Sequence, residues 1–495
     1  MRLRSALQAY ARLARPLVRF CALAAVLLLP LTSLPLLSRL MGGTMVAPPS
    51  LVFVALGLML YLPLLFLGGE RWPAEIVPLA AFVGAALLSS LLSFFSADLP
   101  LYKDVSLPRE LFSALLTLLA GCACFFFFAV VFRDPGEYRP LLALVNLGGV
   151  LIVAWCLFQL YYIYLHGSEF FPPAVLAVHR FLSLGSLLEF LRMKRVAGFA
   201  FEPSWLAHQL NMLYLPYWLG ASLAGYSAWR FRLWRFSAEN LLLLAGILLS
   251  YASLSRIGYL TLLLVLAFLV WQVSGALAGR LGGGWRRVLA QAGMLTAFAA
   301  LAALGVYLLA RLDGRVAAIF TLTYGGGNFF YVANQLALAE RFAYWGLGWN
   351  VFTAFPWLGV GLGNVGFYFE SHLPQFGWAL SEFQKIHLEN TFLVNPKNLW
   401  LRLLAETGIL GFALFASWLY LLFASARTLQ RCDQPLLRAL GWMGMLGVIA
   451  LLGEGFSVDS FALPYAWTTF GLAVSASFLA RRQAPGQAIL ASGKD

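Results

Sequence analysis

Charge is what this sequence has least of. Only 11% of its 495 residues are Asp, Glu, Lys or Arg, against about 25% in a typical soluble domain. With 61% hydrophobic residues and a mean hydropathy of +0.81, the chain reads as a polytopic membrane protein. Cysteine is scarce as well. Cys21, Cys122, Cys124 and Cys156 fall in apolar runs and Cys432 in a basic connection, which excludes a disulfide framework and a zinc spacing. Cys122 and Cys124, two apart, would point in different directions on a helix. Tandem repeats, low-complexity tracts and a soluble domain are missing too. The basic start, with Arg2, Arg4, Arg12, Arg15 and Arg19, lacks a small-residue cleavage site, and its apolar run is too long for a signal peptide, so a retained first span is expected. The net charge of +13 points to no nucleic acid, because a basic excess is the ordinary loop bias of a membrane protein.

Long apolar runs are what the chain has in quantity. Since a helix of roughly 20 apolar residues crosses a bilayer core, about twelve spans are expected. They cover residues 17–40, 46–68, 74–96, 111–132, 140–165, 204–224, 239–254, 257–278, 288–310, 398–423, 437–456 and 461–480. Every second connection is basic: Arg71; Arg133 and Arg139; Arg230, Arg232 and Arg235; Arg280, Arg286 and Arg287; Arg427, Arg431 and Arg438; then Arg481 and Arg482. That alternation predicts cytoplasmic termini. The expected fold is therefore all-α and polytopic, with one long periplasmic loop containing amphipathic helices. Residues 1–310 carry nine spans and an outer segment at 166–203, residues 311–397 form the long outer loop, and residues 398–495 carry three spans and a tail.

Function should concentrate in the larger outer segments. The apolar stretch from Phe181 to Leu191 is too short to span and predicts an interfacial or re-entrant helix. In the long loop, Tyr331 to Phe355 reads as helical and Phe355 to Gly366 as a Pro/Gly turn region, together a lid over a cavity. The loop keeps Arg311, Arg315, Arg341, Lys385 and Lys397 on the side where cations are usually rare, which suggests an anionic substrate.

Four places set polar groups at or beside membrane depth, where an unpartnered charge costs at least about 2.5 kcal/mol. The run RVAGFAFEPSWLAHQLN holds Arg195, Glu202, Ser204 and His208, read either as a substrate site or as a capped helix with an Arg195/Glu202 ion pair. Ser255 and Arg256 break two apolar runs; Arg256 is either a bidentate phosphate ligand or a snorkelling interfacial arginine. Arg341 and Trp345, four apart, share a helix face ahead of a GxGxG turn through Gly361, whose glycines would allow close approach to a ligand. No strand precedes that turn, so it is not a dinucleotide fingerprint. Finally Lys397, Asn398, Arg402 and Glu406 open the tenth span, where Arg402 and Glu406 either neutralise one another or face a substrate, and Gly408 and Gly411 suggest close packing.

The last three motifs, in this order around one long outer loop, resemble the bacterial O-antigen ligase and polymerase family between about Arg195 and Gly411. The resemblance implies a metal-independent membrane glycosyltransferase at the periplasmic face of the inner membrane, with no cofactor. Its partners would be an undecaprenyl-diphosphate-linked glycan donor, a glycan acceptor, the lipid bilayer and a chain-length regulator. Arg256 and Arg341 would hold the diphosphate, Glu202 would be the first choice of general base and His387 the second. Ligases of the family commonly carry His before the Asn of the last motif, where this chain has Lys397, while FEPSWLA resembles the Glu-Pro-Ser motif of repeat-unit polymerases. A polymerase of lipid-linked repeats is therefore expected; the alternatives are an O-antigen ligase transferring polymer to lipid A-core and a flippase or transporter of lipid-linked glycans. The transporter should show two related halves, which the sequence does not display.

Overall fold

In lipid a chain satisfies its backbone hydrogen bonds as helices or as a closed barrel, and here the apolar runs fold as helices. The computed structural model describes residues 2–68, 71–96, 105–280, 284–312, 314, 316–317, 333–334, 336, 338, 339–389 and 393–483. The first part of the chain contains α1 (Arg2–Leu27), α2 (Pro35–Leu40), α3 (Ser50–Leu67), α4 (Ile76–Ser96), α5 (Leu107–Val130) and α6 (Tyr138–Tyr161). Two short helices, α7 (Pro173–Leu182) and α8 (Leu187–Arg192), precede α9 (Pro203–Gln209), which runs through a π turn at Leu210–Tyr214 into α10 (Leu215–Ala224). Then come α11 (Ala238–Ala252), α12 (Arg256–Arg280) and α13 (Trp285–Leu312). The loop contributes α14 (Ala339–Ala354), α15 (Phe369–His372) and α16 (Ser381–Glu389), and α17 (Leu399–Gln430), α18 (Pro435–Glu454) and α19 (Pro464–Gln483) close the chain. Among the described residues the only sheet is a two-residue hairpin pairing Arg232–Leu233 with Phe236–Ser237.

Among the described residues eight helices, α3 to α6, α12, α13, α17 and α18, are long and apolar enough to cross a membrane. The protein is an all-α, multi-pass membrane protein. Helix ends carry the expected chemistry. Ser237 and Asn240 form a capping box on α11, Asn240 N donating to Ser237 Oγ at 3.3 Å and Ser237 N to Asn240 Oδ1 at 2.9 Å. The Asn398 Oδ1 accepts from Trp400 N (2.9 Å) and Leu401 N (3.2 Å) to start α17.

Some boundaries differ from the sequence reading. Residues 17–40 are not one helix: α1 ends at Leu27, Pro30 and Pro35 interrupt the run, and α2 is separate. The stretch from Phe181 to Leu191 is likewise broken, because Ser183 is extended (φ −146°, ψ 142°) and Leu184 N donates to Ser33 O at 3.1 Å. The α14 helix starts at Ala339 after Leu338 (φ −116°, ψ −9°), while the expected start at Tyr331, and Arg315, lie outside the described residues. At 15 residues, α11 is short for a span.

One large core joins α1, α3 to α6, α9 to α12 and α17 to α19. In α18, 78% of the apolar window is buried; in α13 only 6% is, so α13 stands at the rim and meets chiefly α12. A second, smaller core of Tyr344, Leu347, Val351, Phe369, Phe383 and Ala405 binds the loop to α17. The starts of α12 and α17, the end of α18 and the start of α19 meet at the end of the bundle that carries this loop.

Candidate active site

The backbone between α11 and α12 turns through Leu254, at φ 48°, and this break organises one wall. Ser255, buried, accepts from Gly258 N at 3.4 Å and so starts α12 with Arg256 as its first residue. The Arg195 segment pairs with the same turn: Val196 N donates to Ala252 O (3.2 Å) and Arg195 Nε to Ser253 O (3.1 Å). Arg256 donates through Nη1 to Leu336 O, at the threshold of α14. It also stands at one end of a cavity of ≈ 510 Å3 between α12 and α13, lined otherwise by Tyr251, Tyr259, Leu263, Val270 and Phe298. From Arg256 to Val270 the cavity follows α12 for about 21 Å.

On the neighbouring α9, Pro203 occupies the first turn, where its missing N–H costs nothing. Glu202 is the last extended residue, and its carboxylate accepts from the Ser204 hydroxyl. Below them His208 is buried and bound to Glu454, Nδ1 to Oε2 at 3.3 Å, while Asn211 Nδ2 donates to the other oxygen of Glu454 at 2.8 Å and to Gly258 O at 3.0 Å. This lattice ties α9, α12 and the end of α18 together. It fixes the wall and commits His208 to Glu454.

The loop packs on the connection that follows α18. Arg341 and Trp345 do share a face: Arg341 Nη1 donates to Ser457 Oγ at 3.1 Å, and the Trp345 ring lies 5.9 Å from Phe456 in the same connection after α18. The buried Trp345 Nε1 has no hydrogen-bond partner among the described residues. Lys397 sits over the Tyr344 ring at 3.9 Å and donates to Glu382 Oε1 at 2.9 Å; Tyr344 OH donates to the same oxygen at 2.7 Å. Burial pushes the Glu382 carboxyl up, but these two hydrogen bonds and the nearby Arg341 bring it below its ordinary value.

Arg402 and Glu406 make the i,i+4 pair, buried, with Nε 3.0 and 3.1 Å from the carboxylate oxygens, and Arg402 Nη1 donates to Asp459 O at 2.5 Å. Burial raises the Asp459 carboxyl against the pull of Arg402. The GxGxG turn approaches protein rather than open space. Val360 N and Gly361 N donate to Ala405 O (2.9 Å) and Glu406 O (3.0 Å), the carbonyls freed where α17 breaks at Gly408 (φ 63°, ψ −171°). A Cβ on Gly359 would lie 2.5 Å from Ala405 O. Gly408 and Gly411 therefore serve a kink. Asn364 and Leu362 fasten the turn to Ser93 and Ser90 of α4 at 3.0 and 3.1 Å.

Thus the fold gathers Arg195, Glu202, Ser204, Ser255 and Arg256 around the α11–α12 turn and the start of α9, and Arg341, Trp345, Lys397, Asn398 and Arg402 around the connection after α18. His387 is apart from both, half-exposed on α16 and 3.2 Å from Glu370. Sequence reasoning missed Glu454, Ser457, Glu382 and Tyr344. A glutamate ending an apolar run and a serine in a four-residue connection were the available signals. Among the described residues no group of three or more His, Cys, Asp or Glu is placed to hold a metal ion.

Residues 240–416, from α11 to the first half of α17, match the family model described as O-antigen ligase. The match covers somewhat more than a third of the chain and includes Ser255, Arg256, Arg341, the glycine turn and the Arg402–Glu406 pair; Arg195 and Glu202 lie before it. It supports an O-antigen ligase or polymerase type of protein, acting in a bilayer on lipid-linked sugars. No curated protein matches the chain.

Proposed function

We propose that the protein polymerises lipid-linked oligosaccharide repeat units at the periplasmic face of the bacterial inner membrane, with undecaprenyl diphosphate as the leaving group. The observation that carries this reading is Arg256, a guanidinium at the polar end of an apolar cavity that follows α12. Such a cavity suits a polyprenyl tail, and a guanidinium suits the diphosphate at its head. The N-terminus of α12 adds its positive dipole end at the same place.

In the proposed step the acceptor hydroxyl oxygen attacks the anomeric carbon of the donor. The bond from that carbon to the diphosphate oxygen breaks and its electron pair leaves with the diphosphate. The acceptor proton passes to Glu202, poised beside Ser204. Arg256 and Arg341 stabilise the charge that develops on the departing diphosphate, a role that a divalent cation can fill in other enzymes. Trp345 offers an N–H donor beside Arg341. Arg195, Ser204 and Ser255 shape the wall, while Lys397, Asn398, Arg402 and His208 hold the elements that bound it. His387 is the reserve candidate for the base. In this reading residues 311–397 act as wall and lid for a site built by two transmembrane units, 1–310 and 398–495, with cytoplasmic termini.

The ligase reading is favoured by the description of the matching family. Against it stands Lys397, bound to Glu382 where ligases commonly carry a histidine. The product separates the two. Purified protein given lipid-linked repeats should yield a ladder of longer glycans; protein that leaves repeats unchanged yet joins preformed polymer to lipid A-core is a ligase. Movement of the lipid across vesicles with no change in glycan length would instead indicate a transporter.

A further inference from the structure

A second, polar pocket of ≈ 480 Å3 opens between α2 and the α7–α8 pair, lined by Arg39, Arg180, Ser183, Gly185, Ser186 and Glu189 among others. Its size falls in the range of about 300–1,000 Å3 usual for small-molecule sites. Charged and hydroxyl side chains make up more of its lining than in the cavity along α12, and among the described residues Arg39, Arg180 and Glu189 make no ion pair. The pocket is built and held. Its floor, Ser183 to Ser186, is pinned from below, where Leu184 N donates to Ser33 O (3.1 Å) and Ser183 Oγ to Ala200 O (3.4 Å). A Cβ on Gly185 would lie 2.3 Å from Phe201 O, so the floor rests directly on the residue preceding Glu202. The wall helix α7 is anchored by His179, buried and stacked on Trp155 at 6.1 Å with 3° between the rings.

We infer that this pocket, next to the segment of Glu202, receives the acceptor saccharide, one carrying a carboxylate or phosphate substituent. The inference rests on the polymerase reading for the word acceptor, but the binding does not. Two guanidiniums and one carboxylate give a net positive lining, which selects an acidic sugar; the serine hydroxyls and Glu189 supply the donors and acceptors that sugar hydroxyls need. Contact of the floor with Phe201 places the pocket beside the segment that carries the proposed base.

The test uses the full-length protein in neutral-lipid nanodiscs. Saturation-transfer NMR is recorded with trigalacturonate and with maltotriose, for the wild type and for the Arg39→Ala/Arg180→Ala double variant. Wild type is expected to bind trigalacturonate and to prefer it at least tenfold over maltotriose, with the preference lost in the double variant. In an elongation assay with the native lipid-linked repeat as donor and a repeat unit lacking the diphosphate as a separately varied acceptor, the variant should raise the acceptor KM at least tenfold and leave donor KM and kcat within twofold. Equal binding of both probes, or binding unchanged in the variant, overturns the proposal. If wild type makes no longer glycan yet the variant still loses trigalacturonate, the polymerase reading falls and the acidic-saccharide site stands. Arg39→Lys/Arg180→Lys, which keeps the charge, should restore most of the binding and guards against a folding defect.

Discussion

Arg341 and Arg402 are fastened to the same short connection between α18 and α19, and they are fastened differently. Arg402 donates to Asp459 O and is neutralised by Glu406 in a buried pair. Arg341 donates to the Ser457 hydroxyl and makes no ion pair among the described residues. Two cations of one motif series thus divide the work. The charge of Arg402 is consumed in holding the break in α17, whereas that of Arg341 is left to act at the rim. The same division runs through the neighbouring residues: the glycine turn and Asn364 make a seam between loop and bundle, while Arg256 borders the cavity along α12.

The seam should be the more fragile region, and the largest effect is expected there. A Cβ on Gly408 would lie 2.2 Å from Trp357 O, and its φ of 63° is one that L side chains rarely adopt. Gly408→Ala should therefore abolish recovery of folded protein, read by size exclusion in detergent; a variant that elutes and melts as wild type would dissolve the seam as an explanation. Next is the buried pair. Arg402→Ala leaves Glu406 uncompensated and should cost about 3–5 kcal/mol, whereas Arg402→Met with Glu406→Leu, which removes both charges, should cost much less. Thermal melts of the single and double variants decide between them, and equal losses would show that the charges are not coupled.

The rim should respond the other way, losing activity without stability. Arg256→Lys keeps a positive charge but cannot make two parallel hydrogen bonds to a phosphate. A loss of about 1.5–3 kcal/mol of charged hydrogen bonding corresponds to a rate lower by about ten- to a hundredfold. Arg341→Lys should behave similarly. Initial rates of glycan elongation, measured beside a melt, test this: a rate within twofold of wild type would move Arg256 to the structural side of the comparison.

Much of the seam was invisible in the sequence for a physical reason. Long apolar runs report helices because lipid leaves few other choices, so α3 to α6, α12, α13, α17 and α18 were legible as runs of hydrophobic residues. The GxGxG turn reads the same whether its amides face a phosphate or a protein carbonyl. Only the fold shows that Val360 and Gly361 meet Ala405 and Glu406, more than forty residues on. The shared face of Arg341 and Trp345 follows from helical spacing, but its target, Phe456 and Ser457, does not. His208 stood out as a polar group at depth; its partner Glu454 lies across the bundle and no local pattern links them. Proline signals in the first apolar run were present at Pro30 and Pro35, and hydropathy alone passed over them.

The smallest expected effect lies between seam and rim, at Glu382. Tyr344 and Lys397 hold its carboxyl below the ordinary value, so the folded state favours the ionised form. The sign follows from linkage: the stabilisation is fully present above the unfolded value, about 4.3, and is lost as pH falls through the lower folded value. The side chain is 41% exposed, and solvent screening keeps the contribution below about 1 kcal/mol. Glu382→Gln keeps an acceptor for Tyr344 and removes the titration. Its melting temperature should trail that of wild type slightly at pH 7 and converge with it in acid below about pH 4. A constant gap across that range would mean that Lys397 is held by the Tyr344 ring rather than by the carboxylate, which would remove this cluster from both regions and leave the contrast between Arg341 and Arg402 resting on the α18–α19 connection alone.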